Sequence, residues 1–277
     1  MKRKRQKASE RAAAIATWGA AMLAFAALLF LIGFILVRGV PHLSLSMLAP
    51  RYTSENASLL PALVSTVIIT ALSLLIALPL GVFTAVYLAE YARRGSFAVR
   101  LVRAMADTLS GIPSILYGLF GMLFFVTALH WGFSVLAGAC TMSMMLLPLV
   151  MRASEEAIRS VPDMYREGAF GLGAGRLRTV FRIVLPTAKP GILAGVILAI
   201  GRCVGESAAL IYTAGTVAQI PFSPLQSART LAVHMYSLSN EGLHTDKAYA
   251  TAVVLMALVA GINALAAWLT RRMGRQP

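Results

Sequence analysis

The residues best equipped for chemistry are two charged side chains, Arg202 and Glu206, set in an otherwise apolar run. A charge at the middle of a bilayer costs about 2.5–3.5 kcal/mol on insertion scales, and such groups usually carry a function. A guanidinium stays protonated, and its planar fork donates to two oxygens at once, which suits an anionic oxyanion. The spacing of four predicts that Arg202 and Glu206 lie on one helical face and pair. Glu206 would then hold Arg202 in place or moderate its grip on an anion. At about 100° per residue, Gly191, Gly195, Arg202, Gly205, Glu206, Ala209 and Thr213 share that face. Leu193, Val196, Ile197, Ile200, Val204 and Ile211 lie opposite. The small and polar face should look into a bundle or a water-filled path, with Gly191, Gly195, Gly201 and Gly205 as helix-packing positions. A salt bridge that only fixes packing is the plainer reading of the same pair.

The second feature is the basic stretch 152–190. It contains Glu167-Gly168-Ala169, three residues, Gly173, nine residues, and Ile183-x-Leu185-Pro186. Pro162-Asp163 marks a helix start, and Tyr165, Ala169 and Leu172 recur at helical spacing. Gly171, Gly173 and Gly175 should end that helix. Other chemistry finds little support. The chain has no GxxxxGK[ST] and no Gly-Lys pair, so it lacks the loop that cradles nucleotide phosphates. Cys140 and Cys203 fall in apolar runs and have no metal-site spacing. His42, His130, His234 and His244 are scattered and read as loop residues, and no nucleophile-base pair is visible. Asp107 reads as a helix N-cap.

These residues need elements to position them. Of 277 residues, 58% are hydrophobic and 13% charged, against about 25% charged in ordinary soluble domains. The mean hydropathy is +0.75. Residues 12–37, 56–89, 108–151 and 248–270 contain no Asp, Glu, Lys or Arg. A span needs about 20 apolar residues, so 108–151 must hold two, turning at His130-Trp131-Gly132. The prediction is an all-α polytopic bundle of about six transmembrane helices. They are placed at about 13–37, within 59–89 (bent near Pro79 and Gly81), two in 108–151, Gly191 to Thr216, and 248–270. The run at 12–37 is too long for a signal-peptide core and is read as a retained span. On this layout 20 Lys and Arg residues fall on one side and four on the other, leaving Arg202 in a span. The positive-inside rule then puts both termini in the cytoplasm. The net charge of +14 is thereby a topology signal rather than a nucleic-acid surface.

The loop 152–190 closely resembles the EAA motif of ABC importer permeases, with Gly168 where Ala is usual. The resemblance implies the type I importer permease fold, in which this segment forms a coupling helix that docks on a separate ATPase. Glu167, Gly168, Ala169, Gly173, Ile183, Leu185 and Pro186 are the matching positions. The run Ala106 to Phe120, and the run from Gly201-Arg202 through Gly205-Glu206-Ser207 to Gly215, are similar to phosphate permeases of the PstA type. That resemblance covers roughly 58–270, read as the type-1 transmembrane domain, with basic tails at 1–12 and 271–277. It implies import of inorganic phosphate across a bacterial inner membrane, with Arg202 and Glu206 in the translocation path. It also implies a PstC-type second permease, a PstB-type ATPase dimer that uses ATP, and a PstS-type binding protein. No cofactor is expected on this chain, and the external loop 217–247 is a place to meet the binding protein or a plain connector. The companion permease, a permease for another oxyanion or phosphonate, and a gradient-driven secondary transporter are the alternatives.

Overall fold

The computed structural model describes the backbone of residues 2–93, 95–242 and 244–273, and side chains of 13–93, 95–242 and 244–268. The side chains of the basic tail 1–12 and the last four residues therefore lie outside the described residues. Among them all the regular secondary structure is helical. The helices are α1 (Lys2–Gly39), α2 (Leu60–Val86), α3 (Phe97–Gly111), α4 (Ser114–Gly121), α5 (Val135–Arg159), α6 (Asp163–Gly171), α7 (Arg176–Thr179), α8 (Leu185–Val204), α9 (Ala208–Ile211), α10 (Leu231–Glu241) and α11 (Thr245–Met273). Wider π-type turns extend α2 over Tyr87–Tyr91 and α4 over Met122–Ala128, and a third joins α7 to α8 over Val180–Val184.

Five stretches are long and apolar enough to cross a membrane: Ala13–His42, Leu60–Tyr91, Val135–Arg159, Arg176–Val204 and Thr245–Trp268. The sixth span of the sequence reading exists only as a bent pair, in which Phe97–Gly111 turns by 100° into Ser114–Ala128. The break is local chemistry. Ile112 precedes Pro113, whose ring disfavours helical backbone at the residue before it, and Ile112 is extended, with ψ 130°. The Tyr117 hydroxyl donates to the Leu109 carbonyl at 2.8 Å and latches the corner. Asp107 consequently sits inside α3 rather than at an N-cap, and it pairs with Arg152 of α5. The hairpin at 130–132 forms as expected, with His130 at φ 57° and Gly132 at φ 64°. Trp131 stacks on Phe125 at 5.5 Å.

The core is built around α5. Ile69 and Ala77 of α2 meet Met142, Leu146 and Val150 of α5, with Ala199 and Cys203 of α8 closing the cluster. Lipid tails give apolar helices no reason to prefer each other, so close approach at small residues holds them together. The helix α2 runs through Pro79 as one element. A Cβ on Gly81 would come within 2.8 Å of Val150. At α8, a Cβ on Gly191 would come within 2.7 Å of Ala157, and one on Gly195 would collide with Ala153. By contrast, the most apolar window of α1 buries none of its residues against the rest of the chain. It meets α11 near its end, where Phe34 packs edge-on against Tyr249 at 5.8 Å.

Candidate functional site

The span bearing Arg202 runs from Arg176 to Val204, against the expected Gly191 to Thr216. At the start, a π-type turn at Val180–Val184 absorbs the approach to Pro186 and lets the helix continue. At the end, Gly205 caps the helix. Glu206 turns away, and its Oε1 accepts from the Ala209 backbone N at 3.2 Å at the start of α9. The expected Arg202–Glu206 pair therefore does not form, because the two residues no longer share a helix. Among the described residues Arg202 has neither an ion pair nor a hydrogen bond, and its side chain is exposed.

The expected single small-polar face is divided. Gly191 and Gly195 lie against Ala157 and Ala153 of α5. Gly201 has open space where a Cβ would stand, and Gly205 meets only its own helix's Gly201 carbonyl, at 3.6 Å, so neither packs a neighbouring helix. Ala194, Leu198, Arg202 and Gly205 form an exposed stripe along α8. Behind it Cys203 and Val204 are buried, and the Thr70 hydroxyl of α2 lies 3.5 Å from the Cys203 sulfur.

The chain after Val204 folds back between α2, α4 and α5 instead of crossing onward. Several of its backbone groups bond to the bundle, as irregular structure beside membrane helices requires. Ser134 N donates to the Thr213 carbonyl (3.0 Å), Val135 N to Gln226 (2.9 Å) and Leu136 N to Pro224 (2.8 Å), so this segment caps the start of α5. Leu231 N donates to the Thr66 hydroxyl of α2 at 2.9 Å. The tight fit uses glycine: a Cβ on Gly118 would lie 2.8 Å from Ala209, and one on Gly138 would lie 2.9 Å from Ala214. The stretch 217–247 is thus no plain connector. His234, read as a loop residue, is fully buried in α10. Burial first, and the nearby Arg229 charge second, push its pKa down to about 3, with the Ala57 backbone opposing them.

The segment read as a coupling loop carries α6. Asp163–Gly171 is helical, and Gly173 takes the left-handed conformation at φ 80°. Gly173 N bonds the Phe170 carbonyl and Ala174 N bonds Ala169, closing the helix end. The loop itself is shorter than 152–190, since α5 extends to Arg159 and the next helix begins at Arg176. The triad divides by burial: Ala169 is buried against the bundle, while Glu167 and Gly168 face outward. A Cβ on Gly168 would meet open space, so Gly there serves no packing need. Ile183 and Leu185 are half-buried and Pro186 is exposed. Met164 (71% exposed), Leu172 (90%) and Leu177 (66%) complete an uncovered apolar surface around α6.

One clamp went unread in the sequence. Arg166 bonds Glu90 Oε1 through Nε (3.1 Å) and Nη2 (2.7 Å), and also the carbonyls of Val161 (2.7 Å) and Ile158 (3.0 Å). It ties α6 to the ends of α2 and α5. Glu155 similarly takes Arg103 of α3 at 2.7 Å and Arg159 at 2.8 Å. Arg176 donates to the Glu90 carbonyl and covers the Tyr91 ring at 5.1 Å. The available signal was Glu90 itself, the first charge after the uncharged run 56–89.

Comparison with known proteins completes the picture. Residues 77–275 match the family described as binding-protein-dependent transport system inner membrane component. The chain is 36% identical to the probable ABC transporter permease protein YqgI of Bacillus subtilis, over 88% of this chain and 89% of that one. It is 36% identical to the phosphate transport system permease protein PstA of Mycobacterium leprae, over 73% of this chain and 67% of that one. A chain of a bacterial alginate ABC transporter superposes with TM-score 0.62 at 18% identity, covering 92% of this chain and 96% of that one. Such permeases leave ATP hydrolysis to a separate subunit, and the sequence here holds no Gly-Lys phosphate loop. The chain belongs to the binding-protein-dependent transport system inner membrane component family, as a multi-pass permease subunit of an ABC importer.

Proposed function

We propose that this subunit carries inorganic phosphate inward, with Arg202 in the translocation path. The supporting observation is the unpaired Arg202 guanidinium, exposed at the end of α8 on an otherwise apolar and small-residue stripe. A free fork of donors suits an oxyanion, and the absence of a fixed counter-charge leaves it available to a passing one. Glu206 keeps its place at the start of α9 and shapes the site rather than neutralising it. Relatives named as phosphate permeases support the cargo. Physical chemistry alone would accept sulfate equally well.

The other working surface is α6. In this reading its exposed apolar side chains, with Glu167 and Gly168, dock on a PstB-type ATPase dimer. Arg166 passes the movement to α2 and α5. A PstC-type permease covers the open stripe of α8, and a PstS-type protein delivers phosphate from outside. The test is uptake of labelled phosphate by vesicles holding all four partners. ATP-dependent uptake that sulfate does not displace is the expected result. Uptake by this chain alone, driven by an ion gradient, would instead make it a secondary transporter.

A further inference from the structure

Arg229 poses a problem that the coupling surface and Arg202 leave untouched. Its side chain is only 4% exposed, and Nε and Nη2 are buried without an acceptor. Burying an unpaired guanidinium costs several kcal/mol, and this group cannot escape by losing its proton. The Tyr52 ring, 4.4 Å from the guanidinium carbon, offsets part of that cost. His234 stands edge-on to Tyr52 at 5.9 Å and adds no negative charge. Glu241 shares the cavity wall but makes no ion pair with Arg229.

Arg229 lines a cup of about 250 Å³ together with Thr216, Tyr236, Ser237, Asn240 and Glu241. The lining thus brings hydroxyl, amide and guanidinium residues to one cup, which faces the external side as the charge distribution orients the chain. Tyr52 lies over the guanidinium and His234 packs on Tyr52, while α10 carries Ser237 and Asn240. A tetrahedral oxyanion supplies what the site lacks: one or two negative charges, and acceptors for several donors at once. We propose that this cup is a second oxyanion site, which takes up inorganic phosphate on the external face before it reaches Arg202. This step rests on the phosphate reading for its cargo, while the site itself stands on Arg229.

Equilibrium binding of labelled inorganic phosphate to the full chain in nanodiscs tests it. The Arg202→Ala background removes the other candidate site. Phosphate should bind this variant, and adding Arg229→Gln should weaken binding about tenfold or more. Glu241→Gln should tighten it by removing a like charge, and Arg229→Lys should retain part of it. Thermal unfolding separates a structural role: phosphate should raise the melting temperature with Arg229 present and leave it unchanged with Arg229→Gln. Undiminished binding after Arg229→Gln would overturn the proposal. So would a melting temperature that drops with Glu241→Gln and ignores phosphate, since Glu241 would then be the hidden partner of Arg229. Arg229-dependent assembly with a companion permease, without a phosphate effect, would place a partner carboxylate there and also refute it. If vesicles imported another oxyanion, the cargo reading would fail, while Arg229-dependent binding of that anion would still be measurable.

Discussion

Two groups of arginines in this molecule are held in opposite ways. At the end that carries α6, Arg166 is matched to Glu90, Arg103 and Arg159 to Glu155, and Arg152 to Asp107. Toward the far end of α8, and in the segment after it, Arg202 and Arg229 have no acidic partner among the described residues. A buried charge that only holds elements together must be paired, since desolvation otherwise outweighs its gain. A charge that serves a passing anion gains from being left free. On the proposed reading, the paired arginines transmit force and the two unpaired ones meet cargo.

The sharpest challenge is to remove one arginine of the free class. Arg202→Ala should lower phosphate uptake by about a hundredfold or more, with complex assembly and ATP hydrolysis retained. Uptake assays and ATPase rates on one vesicle preparation read both. Unchanged uptake would return Arg202 to a packing role.

Breaking the paired class should act on stability and coupling instead. Glu90→Ala leaves Arg166 buried with one strong acceptor gone, and losing one partner of a buried pair costs about 3–5 kcal/mol. Because Arg166 keeps some exposure, the Asp163 carboxylate at 3.1 Å and two carbonyl acceptors, the cost should be at or below about 3 kcal/mol. The melting temperature should fall, and ATP hydrolysis should continue with little transport. A double-mutant cycle with Arg166→Met should return a large coupling energy.

The glycines of α8 extend the comparison from charge to packing. Gly195→Ala should destabilise by about 1–3 kcal/mol, because the new methyl meets Ala153 in a packed seam. Gly201→Ala, on the open stripe, should be neutral or slightly stabilising in the isolated subunit. Equal effects from both would show that the stripe is closed in the free chain.

Acid provides a gentler probe of the far end. The His234 pKa is lowered on folding to about 3, from an ordinary 6.5. The unfolded chain therefore binds the proton more readily, and stability is greatest above pH 6.5 and declines as pH falls toward 3. Between pH 6.5 and 5.5 this group should remove about 1 kcal/mol, visible as a lower melting temperature. His234→Gln should flatten that slope. The smallest change is Gly168→Ala, which should add up to about 1 kcal/mol of helix stability without weakening ATPase docking, as measured by binding of the ATPase to vesicles.

Much of the molecule was legible because its signals are local. The helix α6 was readable from Pro162 to Gly173, since start, period and stop all lie within a dozen residues. The hairpin at His130-Trp131-Gly132 was readable because a 44-residue uncharged run cannot cross once. The bend at Pro113 was missed although its cause is local, because the apolar run masked it. The end of α8 was missed for a different reason. The apolar and helical pattern continues past Gly205, and only the pockets offered by Gly118, Gly121 and Gly138 on other helices draw Ala209, Thr213 and Ala214 into a fold-back.

By itself, then, the sequence determined that this is a polytopic helical membrane protein with its basic loops on one side, an EAA-like coupling segment and a costly Arg202. Those properties follow from segment length, hydropathy and charge, which each residue carries with it. The tertiary structure alone decided which charges are paired. Glu90 finds Arg166 across 76 positions, while Glu206, four residues from Arg202, turns away to cap α9. Pairing depends on where helices end and what packs beside them, and those are properties of the assembled bundle.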